Sequence, residues 1–465
     1  MTTVYEIDTW PWLTGLSRRY GRTVTLGNVP GEVWDELSGF DAVWLMGVWE
    51  RSLAGLAIAG ANEGLVKEFH AALPGLKDGD IVGSPYCVRR YEVDERIGGA
   101  EGLGEARAAL TQRSLKLILD YVPNHVAPDH PAITEHPEWF ITGTPEELAN
   151  NPGDWFEAAG HIIAHGRDPY FPPWPDVAQL NAFAPGLRQA TTETLKAIAE
   201  QCDGVRVDMA MLMFNDIFAR TWGDRAGPKP AREFWPEIIR ALPDDFLFIA
   251  EAYWDTEWTL QQQGFDLCYD KRLYDRLAHE DAGAVRAHLR ADRGYQDRLI
   301  RFTENHDEPR AAAAFGPRNR AAAVVIATLP GATMWHDGQF EGRRVKLPVF
   351  LGRYPDEPVD DDLKSFHMKL AARKINAGEW ELLENDDVLA WTWQNGDERH
   401  LIVVNFADRT AYTRVRGKWW SEGRAQWRLT DLLDGRVFDR DGGELAADGL
   451  FVELPAWGFH VLEVQ

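Results

Sequence analysis

The chain is short of cysteine, of positive charge and of long apolar runs, and each shortage excludes a class of protein. Its three cysteines, Cys87, Cys202 and Cys268, lie far apart without metal-ligand spacing. An odd, sparse count is no disulfide framework and fits a reducing compartment. Cys202 and Cys268 fall beside or within apolar strand-like runs, so buried free thiols are expected. Lysine and arginine number 49 against 73 aspartates and glutamates, a net charge of −24. A chain this acidic repels nucleic acid and anionic membrane, so neither is an expected partner. No stretch approaches the ~20 consecutive apolar residues of a membrane span. The opening MTTVYEIDTWPWL has no basic lead and no apolar run, so no signal peptide is expected and the cytoplasm is the expected location.

What is present is a large core and a recurring pattern. At 465 residues, 45% of them hydrophobic, the chain has material for two or three domains. Four segments close on polar residues: LKLILDYVPNH (115–125), CDGVRVD (202–208), FLFIAE (246–251) and RFTENHD (301–307). The first, third and fourth begin with an apolar run of the kind that makes a fully buried strand. A carboxylate at the C-terminal end of such a strand sits at the open mouth of a parallel α/β barrel. Asp120, His125, Arg206, Asp208, Glu251, His306 and Asp307 would then share one carboxylate-rich pocket. Paired carboxylates in a cleft are what glycosidic bond cleavage requires. Tryptophan is abundant, at 20 copies, and indole faces suit sugar rings. Large aromatics mainly fill cores, so only a few are expected near substrate.

Along the chain, TVYEID (3–8) and DAVWLM (41–46) read as the first two strands. GGAEGLGEARAALTQRS (98–114) reads as a helix leading into the third strand at 115–120. From 126 to 186 proline, asparagine, glycine, histidine and tryptophan dominate, which reads as long functional loops. Helices at 185–201 and 234–242 precede strands at VRVD and FLFIAE. FDLCYD (265–270) and RLIRFTENHD supply the sixth and seventh, and AAAVVIATLPGATMWHDG covers a helix and the eighth. Eight alternating strands predict a (β/α)8 TIM barrel. From 376, period-2 runs separated by Asn-Gly and Asp-Gly turns predict a C-terminal antiparallel β-sandwich.

These segments resemble the sequence regions of glycoside hydrolase family 13, the α-amylase family. DYVPNH matches its D-x-x-x-N-H, GVRVD its G-x-R-x-D and ENHD its N-H-D, and Glu251 falls where the acid/base sits. All four occur in the family's order. The resemblance implies a catalytic barrel over 1–125 and 187–375, a short domain B insert over 126–186 and a β-sandwich over 376–465. WPDVAQLN (174–181) partly matches the motif that closes domain B.

The resemblance also implies roles. Asp208 is the nucleophile, Arg206 its partner, Glu251 the acid/base, and Asp307 the residue that binds hydroxyls and favours the oxocarbenium-like state. His125 and His306 bind hydroxyls of the sugar in the cleaved subsite, and Tyr86 stacks on it. Independently, Arg206 and Asp208 are two apart, so on a strand both face one side and the guanidinium can hold the carboxylate ionised. The apolar residues before Glu251 suit a general acid. Tyr253 and Trp254 follow and could cover the leaving group. Glu304 and Glu308 are rivals of Asp307 for a carboxylate role, but the N-H-D match favours Asp307.

Three departures stand out. Cys87 and Arg90 occupy positions where the family usually has aspartate, so Arg90 needs another counter-charge. After Asp208 comes Met209–Met213 in place of the Lys-His pair typical of α-amylases, either an apolar wall or core packing. Asn124 falls where many amylases ligate a structural calcium, but the missing histidine argues against one, so no metal or cofactor is expected. The expected activity is retaining hydrolysis of short α-glucosides or α-glucan oligosaccharides. A transglycosylase, phosphorylase or isomerase with the same intermediate is the alternative, and a non-catalytic carbohydrate-binding member is a third reading. Oligomeric state is not legible.

Overall fold

A computed structural model describes residues 2–465. Eight parallel strands close into a barrel: β1 (Thr3–Asp8), β2 (Ala42–Met46), β3 (Lys116–Tyr121), β4 (Gly204–Val207), β5 (Leu247–Ala250), β6 (Leu267–Tyr269), β7 (Leu299–Arg301) and β8 (Ala332–His336). The order around the ring is β1–β8–β7–β6–β5–β4–β3–β2. Strands buried on both faces need apolar residues at nearly every position, and Ile7, Val43, Leu45, Ile118, Leu119, Val205 and Ile300 are fully buried. The expected helices are present at Gly99–Thr111, Pro185–Ala199 and Trp235–Ile239.

The chain divides into two compact units. One holds Val4–Tyr269 and Val345–Asp356; the other holds Asp270–Arg344 and Glu357–Gln465 with the chain's first residues. In the first unit the stretch 126–186 is not a run of loops. Short strands Trp155–Ala158, His161–Gly166 and Trp174–Gln179 join His125–Val126 in a four-stranded antiparallel sheet. Its own core holds Val126, Ile133, Phe140, Ile163, Ala178 and Leu180.

In the second unit, a six-stranded antiparallel sheet and the pair Ala411–Val415 with Leu450–Leu454 make the C-terminal sandwich. Leu401, Val403 and Trp427 of the large sheet share one core with Val415, Val452 and Leu454 of the small one. Twelve of the 20 tryptophans are buried, and Trp34, Trp44, Trp49, Trp235, Trp335, Trp391, Trp393, Trp419 and Trp427 are fully buried. All three cysteines are free and buried. Among the described residues no helix is long and apolar enough to cross a membrane.

Candidate active site

Strand register sets the geometry. Val207 of β4 pairs with Ala250 of β5 and with Tyr121 of β3. Asp208 and Glu251 are therefore the first residues beyond matched strand ends, at one height. Their backbones continue the ladder: Asp208 N–H donates to Tyr121 O at 2.8 Å and Glu251 N–H to Val207 O at 3.0 Å. Arg206 lies one pleat below and faces the same way. Its Nη1 donates to Asp208 Oδ1 at 2.9 Å, and its Nη2 lies 2.9 Å from Glu251 Oε2. One buried guanidinium thus holds both carboxylates.

The surroundings fix that guanidinium. Its Nε donates to the Tyr269 hydroxyl at 3.3 Å, and the rings of Trp44, Tyr86 and Tyr269 lie 5.3–5.6 Å from its central carbon. Burial alone would lower the Arg206 pKa, but Glu251 and the other partners outweigh it and hold it well above its ordinary value. Arg206 is therefore a permanent cation, as the sequence implied.

Glu251 is less apolar in its setting than the preceding residues suggested. Met209 N–H donates to Oε2 at 2.7 Å and the Tyr253 hydroxyl donates to Oε1 at 2.8 Å. Met209 reaches this position with φ of +41°, and Trp254 and Asp255 also have positive φ. Three non-glycine residues in the left-handed region place backbone strain beside two carboxylates. Ala210, Met211, Leu212 and Met213 are buried, and Trp235 Nε1 donates to Ala210 O at 2.9 Å. Of the two readings of the methionine run, core packing holds for all but half-buried Met209.

Asp120 is fully buried and structural. It accepts from Trp44 Nε1 at 3.1 Å and from Gly47 N–H at 2.7 Å. His125 lies at the entry to the insert, paired with Gln179. Burial pushes its pKa down to about 4, against a hydrogen bond to the Tyr86 backbone, so it is neutral at pH 7. Gly166 permits this approach, since a Cβ there would come 3.1 Å from His125 Cβ and 2.7 Å from Val177 Cγ2. Arg90 finds its counter-charge in Glu50, its cross-strand partner, at 3.4 Å, and Arg89 shares that carboxylate at 2.8 Å. Cys87 packs against Gly55 and its thiol donates to Asp176 O at 3.0 Å.

His306 and Asp307 belong to the second unit, where His306 Nε2 lies 2.9 Å from Asp307 Oδ2. Asn305 Oδ1 accepts from the backbone of Asp307 at 2.9 Å and of Glu308 at 2.8 Å, which shapes the turn. The rival carboxylates are committed elsewhere. Glu304 is buried against Arg310 at 2.6 Å, and Glu308 lies 3.3 Å from Lys271.

The sequence did not single out Trp44, Gly47, Gln179 or Tyr269. Tyr269 ends the sixth apolar run, so position at a strand end was the available signal. The other three depend on cross-strand neighbours.

No family model matches the chain. It is 25% identical to the α-amylase MalA of Haloarcula japonica over 344 residues, 68% of this chain and 46% of that protein. It is 22% identical to α-amylase 3 of Dictyoglomus thermophilum over 298 residues, 58% of this chain and 56% of that protein. The chain is thus similar to two α-amylases. It spans about half the length of those two relatives. The fold is also that of a maltogenic α-amylase, AmyB of Thermotoga neapolitana, with a TM-score of 0.70, 20% identity and 100% and 99% of the two chains covered.

Proposed function

We propose that the chain is a retaining α-glycoside hydrolase acting on short α-glucosides or α-glucan oligosaccharides. The observation that carries this is the shared guanidinium: Asp208 and Glu251 leave register-matched strand ends and meet Arg206 at 2.9 Å each. Retention needs two carboxyls close together, one to attack and one to exchange a proton. Asp208, ionised beside Arg206, attacks the anomeric carbon. The bond from that carbon to the leaving oxygen breaks, and Glu251 gives that oxygen its proton. Glu251 Oε2 is held by Met209 N–H, so Oε1, on the Tyr253 hydroxyl, is the oxygen that exchanges the proton. Water then attacks the same carbon, Glu251 takes its proton, and the Asp208 ester breaks. Asp307, His306 and His125 are proposed to bind sugar hydroxyls, and Tyr86 to stack on a sugar ring.

The division into barrel (1–125 and 187–375), insert (126–186) and sandwich (376–465) belongs to this reading. So does a cytoplasmic location, for which three buried free thiols speak.

A structural calcium does not fit. The Asn124 amide is committed to Gln179, accepting from its Nε2 at 2.9 Å and donating to its Oε1 at 3.3 Å. A hard cation needs several oxygen ligands, and this pair satisfies itself. Chelator should therefore leave activity and melting temperature unchanged; a loss reversed by Ca²⁺ would refute this point. The reading as a whole is tested by proton NMR of the first product from an α-glucoside. It should appear as the α-anomer and mutarotate later. Initial release of the β-anomer would exclude the mechanism.

A further inference from the structure

In the insert, residues 167–175 read RDPYFPPWP, with prolines at 169, 172, 173 and 175. Such a segment has little backbone freedom to lose on binding. It is also tied down. Asp168 is buried, and its Oδ1 accepts from the backbone N–H of Tyr170 at 2.6 Å and of Phe171 at 3.0 Å. Trp174 packs on the His125 ring at 5.2 Å, and Tyr170 meets Trp254 edge-on at 4.8 Å. The loop therefore runs from His125 to the segment that follows Glu251.

Two large aromatics are nevertheless left in solvent on this stiff loop. Tyr170 is 58% exposed and Phe171 64% exposed. Among the described residues the Phe171 ring has no aromatic or cationic neighbour. Large exposed apolar groups held rigidly beside a site mark a recognition surface. The occupant follows from the neighbour. Trp254 lies three residues after Glu251, whose Oε1 holds the Tyr253 hydroxyl, and that oxygen serves the leaving group. What the loop covers is the leaving side of the bond.

We propose that Tyr170 and Phe171 form a stacking platform for a glucosyl ring on the leaving side, so that the site prefers oligosaccharides to simple glucosides. The proposal rests on the reading of Glu251 as acid/base. An aromatic ring offers an apolar face to the C–H face of a pyranose at small entropic cost, because it has two rotatable bonds.

The test compares maltotriose, which places sugar on the leaving side, with α-glucosyl fluoride, which places none. In Phe171→Ala and Tyr170→Ala the KM for maltotriose should rise about tenfold, as for loss of one aromatic anchor. Turnover of the fluoride should shift less than about twofold, and Phe171→Trp should restore the maltotriose KM. Equal effects on both substrates, or none on either, would overturn the platform. A change only in concentration-dependent sedimentation would assign the surface to a second copy of the chain instead. Should the parent chain cleave neither substrate, the reading of Glu251 falls, and this proposal with it.

Discussion

Two buried charge clusters in this chain are built on opposite plans. Around Arg206, one guanidinium serves two carboxylates, Asp208 and Glu251. Around Asp270, in the other unit, one carboxylate is served by several donors. It accepts from Leu273 N–H at 3.1 Å, from Arg301 Nε at 3.0 Å, and lies 2.9 Å from His288 Nε2. Arg301 is in turn bound to Gln296 Oε1 at 3.2 Å and to Pro330 O. Burial would raise the Asp270 pKa, but His288 and Arg301 outweigh it and take it down to about 2. The donor-rich cluster is finished: every charge has its counterpart. The carboxylate-rich cluster instead leaves two carboxyl groups sharing one cation.

The largest effect separates the two plans directly. Asp208→Asn should cut turnover roughly ten-thousandfold while leaving the melting temperature equal or higher, because one of two competing carboxylates is gone. Asp270→Asn should do the reverse. It strands Arg301 without its counter-charge and should cost about 3–5 kcal/mol of stability, with kcat of the folded fraction intact. Thermal unfolding and active-site-normalised turnover on both variants decide it. Equal stability losses would show that both clusters are structural.

The comparison also explains what could be read in advance. All eight barrel strands were legible, most of them as apolar runs closing on Asp, Glu, His or Arg, which reflect burial along the strand and exposure at the mouth. The Arg206–Asp208 pair was legible from strand parity alone. The sheet in 126–186 was not. Trp174–Gln179 carries a proline and an aspartate and becomes a strand through pairing with His125–Val126 and with His165–Gly166 across a register shift. Tertiary pairing overrides local propensity there. Glu50 as partner of Arg90, and Tyr269 as partner of Arg206, likewise depend on which strand lies beside which.

Acid should sharpen the contrast between buried bases and buried acids. Burial takes His125, His130 and His367 each down to about 4 from an ordinary 6.5. Between those values the unfolded chain binds more protons than the native one, so stability falls as pH drops from about 6.5 to 4. Asp270 works the other way: its contribution is complete above its ordinary 3.8 and is lost only as pH falls through about 2. Loss of stability near pH 5 is therefore a histidine effect. His367 stacks on Phe340 at 5.2 Å with Trp335 and Phe366 around it. His367→Phe should make the slope over that range shallower, since it removes one of five histidines whose pKa burial lowers, the others being His125, His130, His165 and His400. Chemical denaturation at pH 7 and pH 5 measures this, and an unchanged slope would discard it.

The smallest expected effect probes the proton-exchanging oxygen itself. If Tyr253 only fills space, Tyr253→Phe should be silent, since the ring is kept. If its hydroxyl holds Glu251 Oε1 at 2.8 Å in the state that gives and takes the proton, one neutral hydrogen bond is lost. Such a bond is worth about 0.5–1.5 kcal/mol, or roughly two- to tenfold in rate. The loss should fall on kcat, with KM unchanged, because the bond tunes a group that reacts rather than one that only binds. A fall confined to KM would make Tyr253 a wall of the substrate site. The carboxylate-rich cluster would then depend on Arg206 and Met209 alone to prepare its acid.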